Sequence, residues 1–340
     1  MSKPIEIGIV APSAMVPSVE LKIGIERIRQ EGFLVDEHPQ CREGHLFFAG
    51  TDQQRSEAFF EFAKNQKHQV IWCARGGHGA IRLLPLLKQL AAQHGNPEKK
   101  LLVGYSDATA LMEFVRDHWG WSTLHAPMPS LRKFSILDKS DWEAISEWVR
   151  GRSILPPWSQ KKLSYWVNPP TSPIQGKLVG GNLTVWASLI GTPYQGQVDG
   201  RILFLEDVDE SLYRIDRMLQ QLKLSGAFRG VQAIVLGNFL NCKDYSPQVL
   251  RSLPSKRTRQ RMLTVPKPKE LKPLRKVLPE LKTLRQMFAE VGEGLGIPVA
   301  YGLPVGHGPE VSPMPLGADY QLHPEGFLEL VNWDWTELSN

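Results

Sequence analysis

LLVGYSDATALMEF, residues Leu101 to Phe114, starts as an apolar strand and ends as a helix, with Gly-Tyr-Ser-Asp-Ala at the corner between them. Two readings compete for Ser106 and Asp107. Short polar side chains at a helix start accept hydrogen bonds from free backbone N–H groups, which makes both residues capping candidates. A sharp strand-to-helix turn also lifts one hydroxyl above the sheet edge, the geometry of a nucleophile elbow. Partners elsewhere in the chain decide between the two.

The same strand-then-helix order surrounds this stretch. IEIGIV, FLVDEH, QVIWCA and LLVGY predict strands. Between them, Leu21, Ile25 and Ile28 give helical spacing to Ser18–Glu31, and Leu83, Leu84, Leu87 and Leu90 mark another helix. Thr51 and Gln54 form a capping box ahead of the helix in SEAFFEFAKN. This alternation predicts an α/β fold with a parallel sheet covered by helices. Ligands of such sheets sit beyond the carboxyl ends of the strands, where RGGHGA (from Arg75) and YSDAT both fall. A helix from Asp141 to Arg150, boxed by Ser140 and Glu143, closes a first domain over 1–150.

Residues 151–173, rich in Pro, Ser and Trp, read as a linker, and 174–340 as a second domain. Its expected elements are a helix over Asn182–Leu189, the strand RILFLED, and a helix with Leu212, Ile215, Leu219 and Leu222 inward, stopped by Gly226. VQAIVLG and IPVAYG are further strands, a helix lies near 281–292, and ADYQLHPEGFLELV is a terminal hairpin.

Composition narrows the function classes. The 340 residues suit about two domains and a substantial core. No apolar run reaches the roughly 18 residues that span a bilayer, so no membrane partner is expected. Ile7–Ala11 reads as a first strand rather than a secretory core. Cys41, Cys73 and Cys242 form neither a disulfide framework nor a zinc pattern. A cytoplasmic location follows as the expectation. The net charge of +5 is concentrated between Arg251 and Arg285, where only Glu270 and Glu280 oppose a run of Lys and Arg. The remainder is mildly acidic, which argues against a nucleic-acid partner.

A serine nucleophile needs a base. Of nine histidines, His307 stands out in GLPVGHGPEV, where Gly306, Gly308, Pro304 and Pro309 give a rigid loop with room beside the ring. A plain surface-loop histidine is the competing reading. The base in turn needs an acid to fix its tautomer. LFLEDVDE offers Glu206, Asp207, Asp209 and Glu210, some of which simply cap and charge the next helix start. Pattern alone leaves open which acid faces His307; Glu206, nearest the strand end, is the first candidate. Oxyanion donors would come from the N–H of Asp107 and the glycines Gly76, Gly77 and Gly79 of RGGHG. That loop matches neither the dinucleotide fingerprint nor the Walker loop. Cys73, inside VIWCA, reads as a buried structural thiol. The pattern holds no H-E-x-x-H and no close His/Asp cluster, so no metal or other cofactor is expected. His78 and His125, at strand ends, can line the cleft.

In this order, IWCARGGHGAIRLLP, LVGYSDATAL, TLHAPM, GKLVGGNLTV, LFLEDVDESLYRIDRMLQQL and GLPVGHG resemble the LD-carboxypeptidases, the muramoyltetrapeptide carboxypeptidases of the serine peptidase group. The likeness covers nearly the whole chain outside the basic stretch. It implies a flavodoxin-like or glutaminase-like N-terminal α/β domain and a smaller C-terminal α/β domain. It further implies a metal-free triad of Ser106, Glu206 and His307, an oxyanion hole at Gly77 and Asp107, and a homodimer. The implied substrate is a murein tetrapeptide, which loses its terminal D-alanine during peptidoglycan recycling. Three features depart from the family pattern: RGGHG stands for RGGYG, HAPM for HGPM, and a basic insertion occupies about 243–280.

Two alternatives remain open at this level. Related microcin-immunity hydrolases cut amides between a peptidyl or aminoacyl group and a nucleotide. A non-enzymatic module could use RGGHG to bind an anion. For the basic stretch, the readings are a surface insertion without function and a flap that attracts anionic muropeptides. Replacing Lys256–Lys276 by a short Gly/Ser linker is expected to raise KM for anionic muropeptides, mostly at low ionic strength. Identical kinetics from low to high salt would leave the plain insertion standing.

Overall fold

The computed structural model describes residues 4–244 and 280–337, so most of the basic insertion, and the flap reading with it, lies outside the described residues. Five short strands build the first sheet: β1 (Glu6–Val10), β2 (Leu34–Glu37), β3 (His68–Cys73), β4 (Leu101–Gly104) and β5 (Ser122–His125). They pair in the order 2-1-3-4-5, all parallel. This is the flavodoxin-like order, with its switch point between β1 and β3. β4 and β5 are buried along their whole length, as a sheet covered on both faces requires. The covering helices include α1 (Ser18–Gln30), α2 (Asp52–Lys64), α3 (Leu84–His94) and α4 (Thr109–Trp119). The capping box at Thr51 and Gln54 is formed in both directions.

The short helix α5 (Arg132–Ser135) and α6 (Lys139–Val149) follow. The expected box at Ser140 and Glu143 is absent: the helix is already under way at Lys139, its N-cap is Asp138, and no side-chain cap bond forms. The stretch read as a linker also does more than connect. It holds β6 (Ser164–Val167), an edge strand of the second sheet, and buries Trp158, whose indole N–H donates to Pro313 O at 3.0 Å. Tryptophan there marks packing rather than free chain.

The second sheet contains β6 with β7 (Ile174–Asn182), β8 (Ile202–Val208), β9 (Ala233–Leu240), β10 (Val299–Tyr301), β12 (Asp319–Leu322) and β13 (Leu328–Asn332). β7 to β10 run parallel, and β12–β13 is the expected terminal hairpin. Helices α7 (Leu183–Ser188), α8 (Leu212–Leu224) and α9 (Glu280–Leu295) pack on this sheet. α8 buries Leu212, Ile215, Leu219 and Leu222, as its spacing predicts. One strand ignores the expected boundary: β11 (Met314–Leu316) returns to the first sheet and pairs antiparallel with β5. Among the described residues, no helix is long and apolar enough to cross a membrane.

The two sheets meet through α4. Thr109 Oγ1, at the helix start, accepts the N–H of Asn182 at 3.1 Å. Lower on the helix, the buried Glu113 carboxylate accepts the N–H of Gly180 at 3.2 Å and pairs with Arg116. This approach needs the glycines of GGN. Gly181 has φ +147°, and a Cβ there would lie 2.6 Å from Thr109 Oγ1. Gly181→Ala combines backbone strain with overpacking and is expected to cost about 2–4 kcal/mol, a lower midpoint in urea unfolding with an unchanged slope.

Candidate active site

Ser106 follows β4 directly and has φ +61°, a left-handed conformation that L-residues rarely adopt. A turn this tight needs small neighbours. Gly104 supplies one: a Cβ there would stand 2.9 Å from Ala108 Cβ, so the two sides of the corner touch. Neither residue of the corner caps its own helix. The short turn Ser106–Ala108 has Tyr105 as N-cap without a side-chain bond, and α4 starts only at Thr109. Asp107 instead reaches across to the glycine loop, where its carboxylate accepts the N–H of Ala80 at 2.8 Å. The corner is therefore built as an elbow.

The glycine loop after β3 lies against this corner. A Cβ on Gly76 would sit 3.1 Å from Ser106 Cβ and 3.2 Å from its Oγ. Gly77 and Gly79 have φ +107° and +115°, so the loop turns through conformations that favour glycine. Three braces hold it. Asp107 takes Ala80, Gly76 O accepts the N–H of Ala14 at 3.2 Å, and Arg55 donates to Gly79 O at 3.2 Å. Arg55 is fully buried; it also donates to Pro12 O, pairs with Asp52 and lies 4.6 Å over the Phe48 ring. Burial pushes the Asp107 carboxyl up, against the opposing bond from the Ala80 N–H. His78 is exposed and packs against the rings of both Phe47 and Phe48, at 4.7 and 4.8 Å. Among the described residues, no backbone acceptor outside the helices and strands takes the N–H of Gly77 or Asp107.

The structure sorts the four acids of LFLEDVDE. Asp207 turns to α7, accepting Thr184 N–H at 3.0 Å and its hydroxyl at 2.7 Å. Asp209 takes the Asn241 amide at 3.0 Å, and Glu210 takes Ser211 N–H at 2.8 Å. Glu206 alone meets the histidine: its Oε2 accepts the His307 Nδ1–H at 2.8 Å and the His307 backbone N–H at 3.0 Å. It is fully buried, and Asn182 reaches its other oxygen at 3.4 Å. Both glycines of VGHG serve this contact. A Cβ on Gly306 would fall 2.4 Å from Glu206 Oε2, and one on Gly308 would strike the Asn238 amide, which ties the loop to Val305 O and Glu310 O.

The pairing sets the charges. Burial raises Glu206, but the facing His307 outweighs it and holds the carboxyl below its ordinary range. Burial lowers His307, and Glu206 outweighs that in turn, lifting the imidazole above its ordinary 6.5. With Nδ1–H committed to Glu206, Nε2 is the nitrogen left to accept a proton. Ser106 and His307 are linked through Tyr105, whose ring is 4.6 Å from the imidazole, and not by a direct hydrogen bond.

Sequence reasoning placed His125 only as a cleft-lining residue. It is buried, its Nε2 lies 4.0 Å from Glu206 Oε1, and burial pushes it down to about 4, so it stays neutral at pH 7. Its end-of-strand position was the available signal; its contact spans two sheets. Cys73 is buried behind Gly104, and burial raises its thiol to about 12, which rules it out as the nucleophile. The expectation of no close His/Asp cluster is corrected. Glu6 and His68, which begin β1 and β3, and Asp36 of β2 gather their donor atoms within 4.8 Å. Strand pairing brings together residues that are far apart in sequence. His68 Nε2 stands 3.1 Å from Asp36 and 3.8 Å from Glu6.

A base must be neutral to work, so labelling of Ser106 by a fluorophosphonate is expected to rise through an apparent pKa above 6.5. Glu206→Gln keeps the burial and removes the charge, so that limb moves to lower pH while the maximal rate falls. A pH profile unchanged in Glu206→Gln would separate Glu206 from the base.

Comparison with known proteins agrees along most of the chain. Residues 7–126 match the LD-carboxypeptidase N-terminal domain and residues 175–322 the LD-carboxypeptidase C-terminal domain. A relative from Rickettsia conorii is 33% identical over 213 residues, 61% of this chain, and the match spans 64% of that relative's length. The murein tetrapeptide carboxypeptidase of Pseudomonas aeruginosa is 26% identical over 92% of this chain and 91% of its own. The microcin C7 self-immunity protein of Escherichia coli is 28% identical over 67% of this chain and 72% of its own. The crystal structure of muramoyltetrapeptide carboxypeptidase from Oxalobacter formigenes superposes with a TM-score of 0.68 at 28% identity, covering 95% of this chain and 96% of that one. The chain belongs to the LD-carboxypeptidase family.

Proposed function

We propose that this protein is a serine carboxypeptidase that releases the terminal D-alanine from murein tetrapeptides, acting in the cytoplasm as a homodimer during peptidoglycan recycling. The observation that carries the reading is the pairing of His307 with the buried Glu206, the imidazole lying 4.6 Å from the ring of Tyr105, the residue before the positive-φ Ser106, in a chain of this family. Ser106 Oγ attacks the carbonyl that precedes D-alanine, and His307 Nε2 takes the hydroxyl proton. The N–H groups of Gly77 and Asp107 meet the developing oxyanion. His307 then returns the proton to the leaving amine of D-alanine, and water attacks the acyl-enzyme by the same route in reverse. Glu206 stabilises the imidazolium that forms in both steps, and its burial makes that stabilisation strong. His125, neutral beside the second carboxylate oxygen, adds no competing charge.

The direct test is mass spectrometry of purified tetrapeptide before and after incubation. The expected product is the tripeptide with one D-alanine lost, and Ser106→Ala is expected to reduce the rate by about 10⁴- to 10⁶-fold with an unchanged thermal melt. Fluorophosphonate labelling without D-alanine release would move the substrate to another amide, such as that of a peptidyl nucleotide. Absence of both would remove the enzyme reading.

A further inference from the structure

A carboxypeptidase must recognise the free carboxylate at the end of its substrate, or it would cut internal bonds as well. A carboxylate entering a partly enclosed site loses hydration and needs a charged partner there. In the departing residue, the carboxylate carbon is only about 3–4 Å from the scissile carbonyl carbon, with the nitrogen and Cα between them. The group that binds it must therefore stand beside the serine and the base.

HAPM, after β5, leads through Ser130 and Leu131 into α5, and Lys133 lies on that turn. Its ammonium reaches across to the loop of the base and donates to the carbonyl of Gly308, the residue after His307. Lys133 is half-buried, and no carboxylate among the described residues pairs with it. An ammonium has three donors, so two remain after the bond to Gly308. Of the other basic groups near the site, Arg55 is buried on Pro12, Gly79 and Asp52, and Arg75, at the start of the glycine loop, points one donor away to Met15 O.

We infer that Lys133 binds the terminal carboxylate of the substrate and thereby sets exopeptidase specificity. The inference rests on the carboxypeptidase reading above. It has a second consequence, because Lys133 opposes protonation of His307 across the loop. When the carboxylate neutralises the ammonium, that opposition is removed, and the imidazole becomes a stronger base with substrate in place. The groups that face His307 from the surrounding elements are Glu206 and Asp207 on β8, His125 on β5, Tyr105 after β4 and Lys133 on α5.

The test compares tetrapeptide with a free terminal carboxylate and the same peptide as its terminal carboxamide. Wild-type enzyme is expected to favour the acid by about 10- to 100-fold in kcat/KM. Lys133→Met is expected to lose most of that preference through KM, change little on the amide, and move the acidic limb of kcat/KM to higher pH. Lys133→Arg should recover most of the preference for the acid. Equal losses on acid and amide in Lys133→Met would mean that Lys133 only supports the loop, and the inference would be overturned. Wild-type enzyme that cleaves acid and amide equally well would overturn it while leaving the carboxypeptidase standing. If wild type cleaves neither peptide, both fall together.

Discussion

Glu206 is a carboxylate with no contact with solvent, and the site is arranged around keeping it charged. An ionised carboxylate out of water is costly unless several donors meet it. Here the donors are the ring and backbone N–H of one residue, His307, with the Asn182 amide on the other oxygen. That demand explains the local sequence. Gly306 must lack a side chain because Glu206 lies where its Cβ would be. The same demand fixes the imidazole tautomer, so one buried charge both orients the base and raises its proton affinity.

Glu206 and His307 come from the second sheet and the loop after β10, while Ser106 comes from the first, so the candidate site depends on how the sheets dock. α4 carries that load. It begins three residues after Ser106, and Thr109 bonds to Asn182, which is paired in register with Glu206. Any shift of α4 against β7 moves the serine relative to the base. Glu113 repeats the tie one turn further along, again to a backbone N–H of β7, that of Gly180. β11 adds a third link, since the segment following the His307 loop finishes the first sheet.

On the other side of the serine, rigidity comes from buried ions and not from packing alone. Arg55 and Asp107 lie beneath the glycine loop and take one carbonyl and one N–H from it. Such a loop would otherwise sample many conformations, because glycine restricts the backbone little. Pinning these groups holds the loop in one conformation against Ser106.

Much of this was legible in the chain itself. Apolar spacing gave the strands and helices, because burial on a sheet or helix face imposes a period on neighbouring residues. The strand-to-helix corner with Ser106 and Asp107 pointed to a turn at the sheet edge, and the glycines and prolines around His307 pointed to a rigid loop with room beside the ring. Family motifs then pointed to Ser106, Glu206 and His307 together. What the sequence could not specify depends on contacts between residues far apart. The separation of Glu206 from Asp207, Asp209 and Glu210 was decided by which neighbour each acid meets after folding. The Arg55 brace, the His125 contact, the edge strands β6 and β11 and the reach of Lys133 to Gly308 have no local period. Lys133 and Gly308 stand 175 residues apart. Local patterns record what each element buries; only the packed sheets decide which side chains meet.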